Sequence, residues 1–340
     1  MGILDRFGRP LRSLRLSVTD RCNLRCQYCM PETDYAWLPR GTLLSFEEIT
    51  ALAEAFTALG VDRVRITGGE PLLRRNLPSL VTQLAALPAV QDLALTTNGV
   101  LLAEQAHLLR RAGLHRITVS LDTLHRQRFQ RLTRFDHHAA VLAGIDAAAR
   151  AGFDSLKIDS VVMRGVNDDE LIDLIEYGRS VGAEVRFIEY MDVGGATHWS
   201  MSRVLPRREM LTRLEEHYGP ITPVVEQSSA PADRYRLSDG MTFGIISSTT
   251  EPFCDSCDRS RLTADGLWYL CLYASHGTDL RRPLRSGASA DQLSQLIRAT
   301  WEVRSDRGAE ERIASRDRLP LIPIDRLKRD PHLEMHTRGG

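Results

Sequence analysis

Short runs of β-branched and aliphatic residues alternate with amphipathic segments six times between Leu14 and about Met191, and this alternation constrains the fold more than any other feature. It is typical of parallel strands joined by crossover helices. The predicted strands cover residues 15–18, 63–66, 93–96, 116–120, 156–162 and 185–190. The pattern predicts a fold of the α/β class.

The clearest predicted helix begins after Ser45. The hydroxyl of Ser45 can cap the helix, Glu48 can complete a capping box, and Gly60 can end the helix. Polar or glycine-containing loops directly follow several strands, which predicts that the chemistry lies at the carboxyl ends of the strands. The pattern predicts an incomplete, TIM-like (β/α)6 barrel, although an open doubly wound sheet fits almost as well.

The alternation stops after Pro206, where proline and serine become frequent. Short strands, a hairpin turn and a helix are then predicted at residues 235–237, 243–247, 265–266, 267–272 and 291–301. We therefore expect two parts. Residues 1–205 form the partial barrel, and residues 206–340 form a smaller, mixed α+β region.

The 340 residues carry 44 basic and 44 acidic side chains, so the formal net charge is zero. No global field attracts nucleic acid or an anionic membrane, and any anion must be bound by local basic clusters. The first residues lack the apolar core of an export signal, and no run of about 18 apolar residues exists. A cytoplasmic location is expected, and in that reducing compartment the six cysteines indicate metal or redox chemistry.

Three of the six cysteines lie close together directly after the first predicted strand. Cys22, Cys26 and Cys29 are closely spaced, so a short loop can place three thiolates on one face of an iron–sulfur cube. Three ligands leave one iron open for a small molecule. A zinc knuckle is the alternative, but structural zinc takes four ligands and this loop has no histidine. The polar residues of the loop make three buried structural thiols a poorer explanation.

The other three cysteines, Cys254, Cys257 and Cys271, form a second triad near the predicted hairpin. A Cys3His zinc site that uses His276 is the alternative interpretation of this triad. Residues 258–261 read Asp-Arg-Ser-Arg and place two guanidinium groups beside a metal site that lacks one ligand. Guanidinium groups bind phosphate through two parallel hydrogen bonds, so this arrangement predicts a phosphorylated substrate.

The first triad has Tyr28 directly before its last cysteine and is followed, after the second strand, by Gly68-Gly69-Glu70-Pro71. This combination resembles the radical S-adenosylmethionine superfamily. Further segments resemble one family within it, the GTP 3′,8-cyclases of molybdenum cofactor biosynthesis. They span nearly the whole chain and comprise residues 15–23, 65–71, 95–99, 119–122, 186–189, 253–272 and the terminal Gly339-Gly340.

The resemblance implies two [4Fe-4S] clusters and a set of ligand-binding residues. The first triad would hold the cluster that binds S-adenosylmethionine, and the second would hold a cluster whose open iron binds the guanine ring of GTP. The residues implied for S-adenosylmethionine are Tyr28, Gly69, Ser120 and Met191. The residues implied for GTP are Arg15, Arg65, Thr96, Lys157, Arg259 and Arg261.

Physical arguments support part of this assignment. Arg15, Arg65 and Lys157 lie in predicted parallel strands, where a buried cation is costly unless it faces the lumen and meets an anion such as a triphosphate. Alternatively, each of them is a strand-end charge that contacts solvent. Ser120 and Asp122 could bind ribose hydroxyls, or they could cap a helix.

The resemblance also implies a reaction and its partners. A 5′-deoxyadenosyl radical removes hydrogen from ribose C3′ of GTP, the C3′ radical attacks guanine C8, and reduction gives (8S)-3′,8-cyclo-7,8-dihydroguanosine 5′-triphosphate. This lyase would catalyse the first step of molybdenum cofactor biosynthesis. Its expected partners are an external one-electron donor and the next enzyme of the pathway. A homodimer is possible, and binding to nucleic acid or to a membrane is not expected. The Gly339-Gly340 tail is expected to reach into the barrel and to help activity.

Two rival interpretations stand beside this one. The first is a radical enzyme with another substrate, such as a peptide-modifying maturase whose second cluster relays electrons, and Arg259 and Arg261 argue against it. The second is a noncatalytic iron–sulfur or zinc protein that senses redox state. Iron and sulfide counts would distinguish zinc from clusters.

Overall fold

The computed structural model describes residues 2–226, 229–315 and 318–339, so the predicted tail residue Gly340 lies outside the described residues. The strands, in chain order, are β1 Ser13–Ser17, β2 Arg63–Thr67, β3 Asp92–Thr97, β4 Arg116–Ser120, β5 Ser155–Val162, β6 Glu184–Glu189, β7 Thr222–Val224, β8 Asp233–Arg236, β9 Thr242–Ile246, β10 Arg259–Leu262, β11 Leu267–Tyr269 and β12 Thr278–Asp279. They form one sheet with the order β12-β11-β10-β1-β2-β3-β4-β5-β6-β9-β8-β7.

The helices of the described residues, in chain order, are α1 Phe46–Thr57, α2 Leu77–Ala85, α3 Leu102–Arg111, α4 Arg126–Thr133, α5 His138–Arg150, α6 Leu171–Val181, α7 Arg207–Tyr218, α8 Arg281–Arg285, α9 Ala290–Glu302, α10 Gly308–Ile313, α11 Ile324–Arg329 and α12 Met335–Arg338. Single 3-10 turns occur at Arg40–Thr42, Pro71–Leu73, Met201–Arg203 and Pro331–Leu333. None of the described helices combines the length and the apolar character that crossing a bilayer requires.

Strands β1 to β6 lie side by side in chain order, and each is parallel to the next. The six predicted β/α repeats are therefore confirmed. A doubly wound sheet is excluded, because its strand order reverses partway through the chain. The sheet does not close, since its two edges are β12 and β7. This order is that of an incomplete barrel.

Strands from the second predicted part extend the sheet on both sides. β10 pairs in parallel with β1, and β9 pairs in parallel with β6. β11 and β12 continue one side with antiparallel pairing, and β8 and β7 continue the other. Residues 206–340 therefore share a sheet with residues 1–205, and the division of the chain at that point stays a prediction.

Helix α1 connects the first repeat with the C-terminal part. The Ser45 hydroxyl accepts a hydrogen bond from the Glu48 amide at 3.2 Å, and the Glu48 carboxylate accepts one from the Ser45 amide at 2.8 Å, which confirms the predicted capping box. Phe56 of α1 packs edge-on against Trp268 of β11 with ring centroids 5.2 Å apart, and Trp268 stacks on Trp301 of α9 at 6.3 Å. One hydrophobic core thus includes both parts.

Alternate residues of each parallel strand point to opposite faces of the sheet. In β1, Leu14 and Leu16 are fully buried in the core, whereas Arg15 between them lines a cavity on the inner face. In β2, Ile66 is buried in the core and Arg65 lines the same cavity. The alternation therefore directs polar side chains into the cavity.

Candidate active site

A cavity of about 390 Å³ lies on the inner face of the sheet. Residues of eight strands, β10, β1 to β6 and β9, line it, so the sheet curves around the cavity. Its volume falls within the range that is usual for small-molecule sites. Loops that follow the strands supply the rest of the wall, as expected for a barrel whose site lies at the carboxyl ends of its strands.

Three arginines on neighbouring strands form a row in this cavity, which we call the arginine row. In the strand register, Arg15 lies beside Arg65 on one side and beside Arg261 on the other. Burial lowers the pKa of Arg65 and of Arg261 to about 10. Burial also lowers the pKa of Arg15 well below its ordinary value, and the two neighbouring arginines add to this effect. Adjacent buried cations are costly unless an anion lies among them, so the row favours an anionic ligand.

The other predicted substrate residues do not all meet at this row. Arg65 donates a hydrogen bond to the Thr96 hydroxyl at 3.0 Å, and Thr96 and Arg259 both line the cavity. Lys157 is not one of the residues that line it. The Lys157 ammonium lies 3.5 Å from the Glu184 carboxylate, and burial, together with nearby arginines, lowers its pKa to about 8. The structure thus brings together five of the six predicted GTP residues and places Lys157 beside Glu184.

Sequence reasoning missed two cavity cations, Arg116 and Arg186. Arg116 lies in β4 and forms an ion pair with Asp92, and Arg186 lies in β6 with its Nε atom 3.0 Å from the Glu184 carboxylate. Arg116 precedes the predicted cavity residue Ser120 by an even number of positions in the same strand. Since side chains alternate along a strand, this spacing is a signal that could have identified Arg116.

The second triad lines the cavity directly. Cys254, Cys257 and Cys271 are all part of its wall, and they follow β9 and flank the β10–β11 hairpin. Arg304 donates hydrogen bonds to the Cys257 carbonyl at 2.9 Å and to the Cys257 sulfur at 3.6 Å. Burial acts to raise the pKa of Cys257, but the guanidinium groups of Arg259 and Arg304 outweigh it and bring the pKa to about 7. The cations therefore stabilise the thiolate of Cys257, whereas burial raises the pKa of Cys254 and Cys271.

The first triad occupies the loop after β1, as predicted. Burial raises the pKa of Cys22 to about 11 and raises the pKa values of Cys26 and Cys29 further. The negative charges of the Cys22 and Cys29 thiolates would further raise the pKa of Cys26, since the three thiols lie close to one another. None of the three is a lining residue of the cavity, whereas Tyr28 within the same loop and Met191 after β6 are. The first triad therefore lies beside the cavity, behind its wall.

The glycine-rich motif after β2 holds the loop of the first triad in place. A Cβ atom at Gly69 would lie 2.5 Å from the Arg21 carbonyl oxygen, so only glycine fits there. The Glu70 carboxylate accepts a hydrogen bond from the Asn98 amide at 2.7 Å, and the Asn98 side chain donates to the Cys22 sulfur at 3.8 Å. Gly69 itself does not line the cavity, and it acts through close packing against this loop.

Tyr28 and Ser120, two of the residues predicted for S-adenosylmethionine, line the cavity near Asp122. The Tyr28 hydroxyl donates a hydrogen bond to the Asp122 carboxylate at 2.8 Å, and the Val161 amide donates to the same carboxylate at 2.9 Å. Burial raises the pKa of Asp122 to about 6. The next helix, α4, has His125 at its N-cap, so neither Ser120 nor Asp122 caps it.

The donor sets fit iron–sulfur clusters better than single metal ions. Within residues 2–226, 229–315 and 318–339, no three His, Cys, Asp or Glu side chains converge on a position that one ion could occupy. A cubic cluster takes each thiolate at a different iron, so its ligands need not converge on one point. His276, the fourth ligand of the alternative zinc site, is exposed. Two trios of thiols, each with hydrogen bonds to sulfur, are the donor chemistry that such clusters require.

Comparison with known families places the chain in a class. The family model of the radical SAM superfamily matches residues 16–178, and that of Molybdenum Cofactor Synthesis C matches residues 183–310. The crystal structure of SuiB from Streptococcus suis shares the fold, with a TM-score of 0.61 and 13% identity over 86% of this chain and 69% of that chain. The fold and the cysteine loop after β1 define a radical S-adenosylmethionine enzyme, a class whose members carry a [4Fe-4S] cluster.

Curated relatives narrow the class. The chain is 58% identical over 342 residues to GTP 3′,8-cyclase 1 of Mycobacterium tuberculosis. The aligned region covers 99% of this chain and 95% of that relative. It is 44% identical over 346 residues to the GTP 3′,8-cyclase of Staphylococcus epidermidis, and the aligned region covers 99% of each chain. The chain belongs to the GTP 3′,8-cyclase family, and the resemblance predicted from its motifs is confirmed.

Proposed function

We propose that this chain converts GTP to (8S)-3′,8-cyclo-7,8-dihydroguanosine 5′-triphosphate, the first step of molybdenum cofactor biosynthesis. The observation that carries the proposal is the arginine row. Arg15, Arg65 and Arg261 lie side by side in a cavity whose wall also includes the second cysteine triad. Adjacent cations that line a cavity favour a polyanionic ligand, and a triphosphate supplies several negative charges.

The cavity offers separate sites for the two ends of GTP. The triphosphate would bind the arginine row, with Arg259 beside it and Thr96 as a neutral hydrogen-bonding partner. The guanine ring would bind near Cys254, Cys257 and Cys271, which would hold a second [4Fe-4S] cluster with one open iron. Lys157 would act on GTP only indirectly, since its ammonium pairs with Glu184.

The first triad would hold the cluster that binds S-adenosylmethionine. Tyr28, Ser120 and Met191 line the cavity on the side of this loop and would contact the cofactor, while Gly69 would shape the loop. Bound there, the cofactor supplies the radical that takes a hydrogen atom from the substrate. The hydrogen bond from Tyr28 to Asp122 orients the tyrosine ring toward this part of the cavity.

The contribution of the protein is to position GTP. When base and triphosphate are anchored at opposite ends, the ribose is held between the two cluster sites, and C3′ becomes the accessible hydrogen donor. Loss of that hydrogen atom and formation of a bond from C3′ to guanine C8 leave a substrate radical. One electron and one proton complete the product, and the electron comes from an external one-electron donor. The enclosing wall protects the radical from water.

Deuterium transfer tests the proposed function. The anaerobically reconstituted enzyme is incubated with a reductant, S-adenosylmethionine and GTP that carries deuterium at C3′, and 5′-deoxyadenosine is analysed by mass spectrometry. We expect one deuterium in 5′-deoxyadenosine and the cyclised triphosphate in the same sample. GTP deuterated at C2′ is the matched control and should transfer none. A sample that contains 5′-deoxyadenosine without deuterium from C3′ would contradict the proposal.

The remaining partners follow from the proposed reaction. An external one-electron donor would supply electrons, and the next enzyme of the pathway would take the cyclised triphosphate. A homodimer and a cytoplasmic location stay predictions from the sequence. The likeness to SuiB concerns the fold and carries no substrate to this chain.

A further inference from the structure

The C-terminal segment, residues 333–339, contacts both the first triad and the arginine row. The His336 amide donates a hydrogen bond to the Cys29 sulfur, and Met335 lines the cavity. At the other end of the segment, the Gly339 carbonyl accepts a hydrogen bond from Arg261 at 2.6 Å. We call this segment the C-terminal wall. The tail thus enters the partial barrel, as the sequence predicted for Gly339.

Two glycines after β6 allow the C-terminal wall to approach the first triad. A Cβ atom at Gly194 would overlap the Leu333 carbonyl oxygen, and one at Gly195 would overlap the Cys29 carbonyl oxygen. Gly195 also has a φ of +92°, which side chains rarely tolerate. The Met335 amide donates to the Gly194 carbonyl at 3.1 Å. This close fit places the side chain of residue 334 beside the backbone of the cysteine loop.

The C-terminal wall carries an unusual density of buried polar atoms that lack hydrogen-bond partners. They are Glu334 Oε2, both ring nitrogens of His336, Thr337 Oγ1 and Arg338 Nη2, and the neighbouring strand adds Ser17 Oγ. Glu334 is 5% exposed and His336 is 2% exposed. Each buried polar group without a hydrogen-bond partner destabilises the folded protein. Such a group of unsatisfied atoms beside a cysteine triad indicates that a polar ligand completes the site.

The charge around Glu334 defines the kind of ligand. Among the described residues no Lys, Arg or His side chain forms an ion pair with Glu334, and the neighbouring titratable groups Glu32, Tyr35 and Cys29 carry no positive charge. The Arg25 guanidinium lies over the ring of Tyr35, 5.8 Å from its centroid, and forms no ion pair with Glu334. Burial, with Glu32 adding to it, raises the pKa of Glu334 to about 7. A buried carboxylate without a counter-ion is costly, and a cationic ligand would remove that cost.

We propose that Glu334 is the counter-charge for the sulfonium group of S-adenosylmethionine, and that the C-terminal wall forms one side of the cofactor site. The inference rests on the proposed function, which places this cofactor at the first triad. S-adenosylmethionine carries a sulfonium and an ammonium group. An amine must lose its proton before it can coordinate a metal, so the sulfonium is the charge that persists in a complex with the cluster.

The test compares two ligands that differ in this charge and in the methyl group that creates it. S-adenosylhomocysteine has a neutral thioether in place of the sulfonium. Binding of both ligands to the anaerobically reconstituted enzyme is measured by equilibrium dialysis, for the wild-type protein and for Glu334→Gln. We expect the affinity for S-adenosylmethionine to fall about tenfold to hundredfold, as for the loss of a buried charge-assisted contact, and the affinity for S-adenosylhomocysteine to change less than about threefold.

Two further variants control for damage to the fold. Asp330→Asn alters a carboxylate just before the C-terminal wall that pairs with His332, and it should leave both affinities unchanged. Glu334→Asp keeps the charge and should restore part of the preference for the sulfonium ligand. An equal loss of affinity for both ligands, or no loss for either, would overturn the inference. A wild-type enzyme that binds neither ligand would instead overturn the placement of the cofactor, and with it the proposed function.

Discussion

The two cysteine triads use the same ligands, and they differ in one thiol: the pKa of Cys257 in the second triad is lowered, whereas burial raises the pKa of Cys254, Cys271 and all three thiols of the first. In the first, burial raises the pKa of every thiol and outweighs the lowering effect of Arg25 on Cys22. The hydrogen bonds to sulfur come from neutral groups, namely the Leu24 and His336 amides and the Asn98 and Tyr28 side chains. In the second, Arg304 donates to the sulfur of Cys257, and its guanidinium, with that of Arg259, lowers the pKa of that thiol to about 7.

This difference relates each triad to the charge of its proposed ligand. Cys29 of the first triad lies near Glu334, and no cysteine of this triad lines the cavity that holds the arginine row, which suits a cationic cofactor. The second triad shares its cavity with Arg259 and Arg261, which suits an anionic substrate. Identical donor sets can thus be specialised by charged neighbours that do not touch the metal.

The largest expected effect follows when one cysteine ligand is removed from each triad. Cys26→Ala should abolish cleavage of S-adenosylmethionine, because the cofactor would lose its cluster. Cys257→Ala should still cleave the cofactor but should lose cyclisation of GTP, because only the second site is damaged. Chromatography of 5′-deoxyadenosine and of the cyclised product measures both activities, and iron analysis should show a loss of about four iron atoms in each variant. Normal cyclisation by Cys257→Ala would refute the division of roles.

A smaller effect is expected from the arginine row. Arg65→Met should weaken GTP binding about tenfold to hundredfold, since a charge-assisted hydrogen bond to phosphate contributes about 1.5–3 kcal/mol. Binding of S-adenosylmethionine should stay within about twofold of the wild type. Equilibrium dialysis with both ligands measures the two affinities. Arg110→Met, on the outer surface of α3, is the matched control and should change neither. If the affinities for GTP and for S-adenosylmethionine fell equally, the arginine row would contribute to the binding of both ligands and not of GTP alone.

The smallest expected effect concerns thiol reactivity in the cluster-free protein. A thiolate forms above the pKa of its thiol, so at pH 7 Cys257 should react with iodoacetamide more than about tenfold faster than Cys22. Arg304→Met should raise the pKa of Cys257 and slow its alkylation at pH 7 by about tenfold, whereas Arg304→Lys should retain most of the rate. Peptide mass spectrometry over time measures both sites. Equal alkylation rates at Cys22 and Cys257 would contradict the difference in pKa between the two thiols.

Local signals predicted the repeats well because each one lies within a short stretch of chain. The strand predicted at residues 63–66 corresponds to β2 at Arg63–Thr67, and the helix predicted at residues 291–301 corresponds to α9 at Ala290–Glu302. Period-two alternation and capping residues need no knowledge of distant contacts. The strand predicted at residues 267–272 ends earlier, at Tyr269, where the chain turns toward Cys271.

Features that depend on distant pairing could not be predicted in this way. Residues 259–262 carry no strand prediction from the sequence, yet they form β10 beside β1. The ion pair of Lys157 depends on Glu184 of the neighbouring strand β6, and the role of Glu334 depends on how close the chain end comes to Cys29. Sequence spacing carries no information on these contacts. The cysteine triads were identified because their ligands are clustered along the chain.

The position of β1 has a consequence for biosynthesis. β1 is translated well before β10, its partner on one side, because β2 to β9 all lie between them in the chain. Until then one side of β1 exposes unpaired backbone amides and carbonyls, which are a template for aggregation. Cellular yield of this enzyme should therefore depend on chaperone supply during translation more strongly than the stability of the finished protein would suggest.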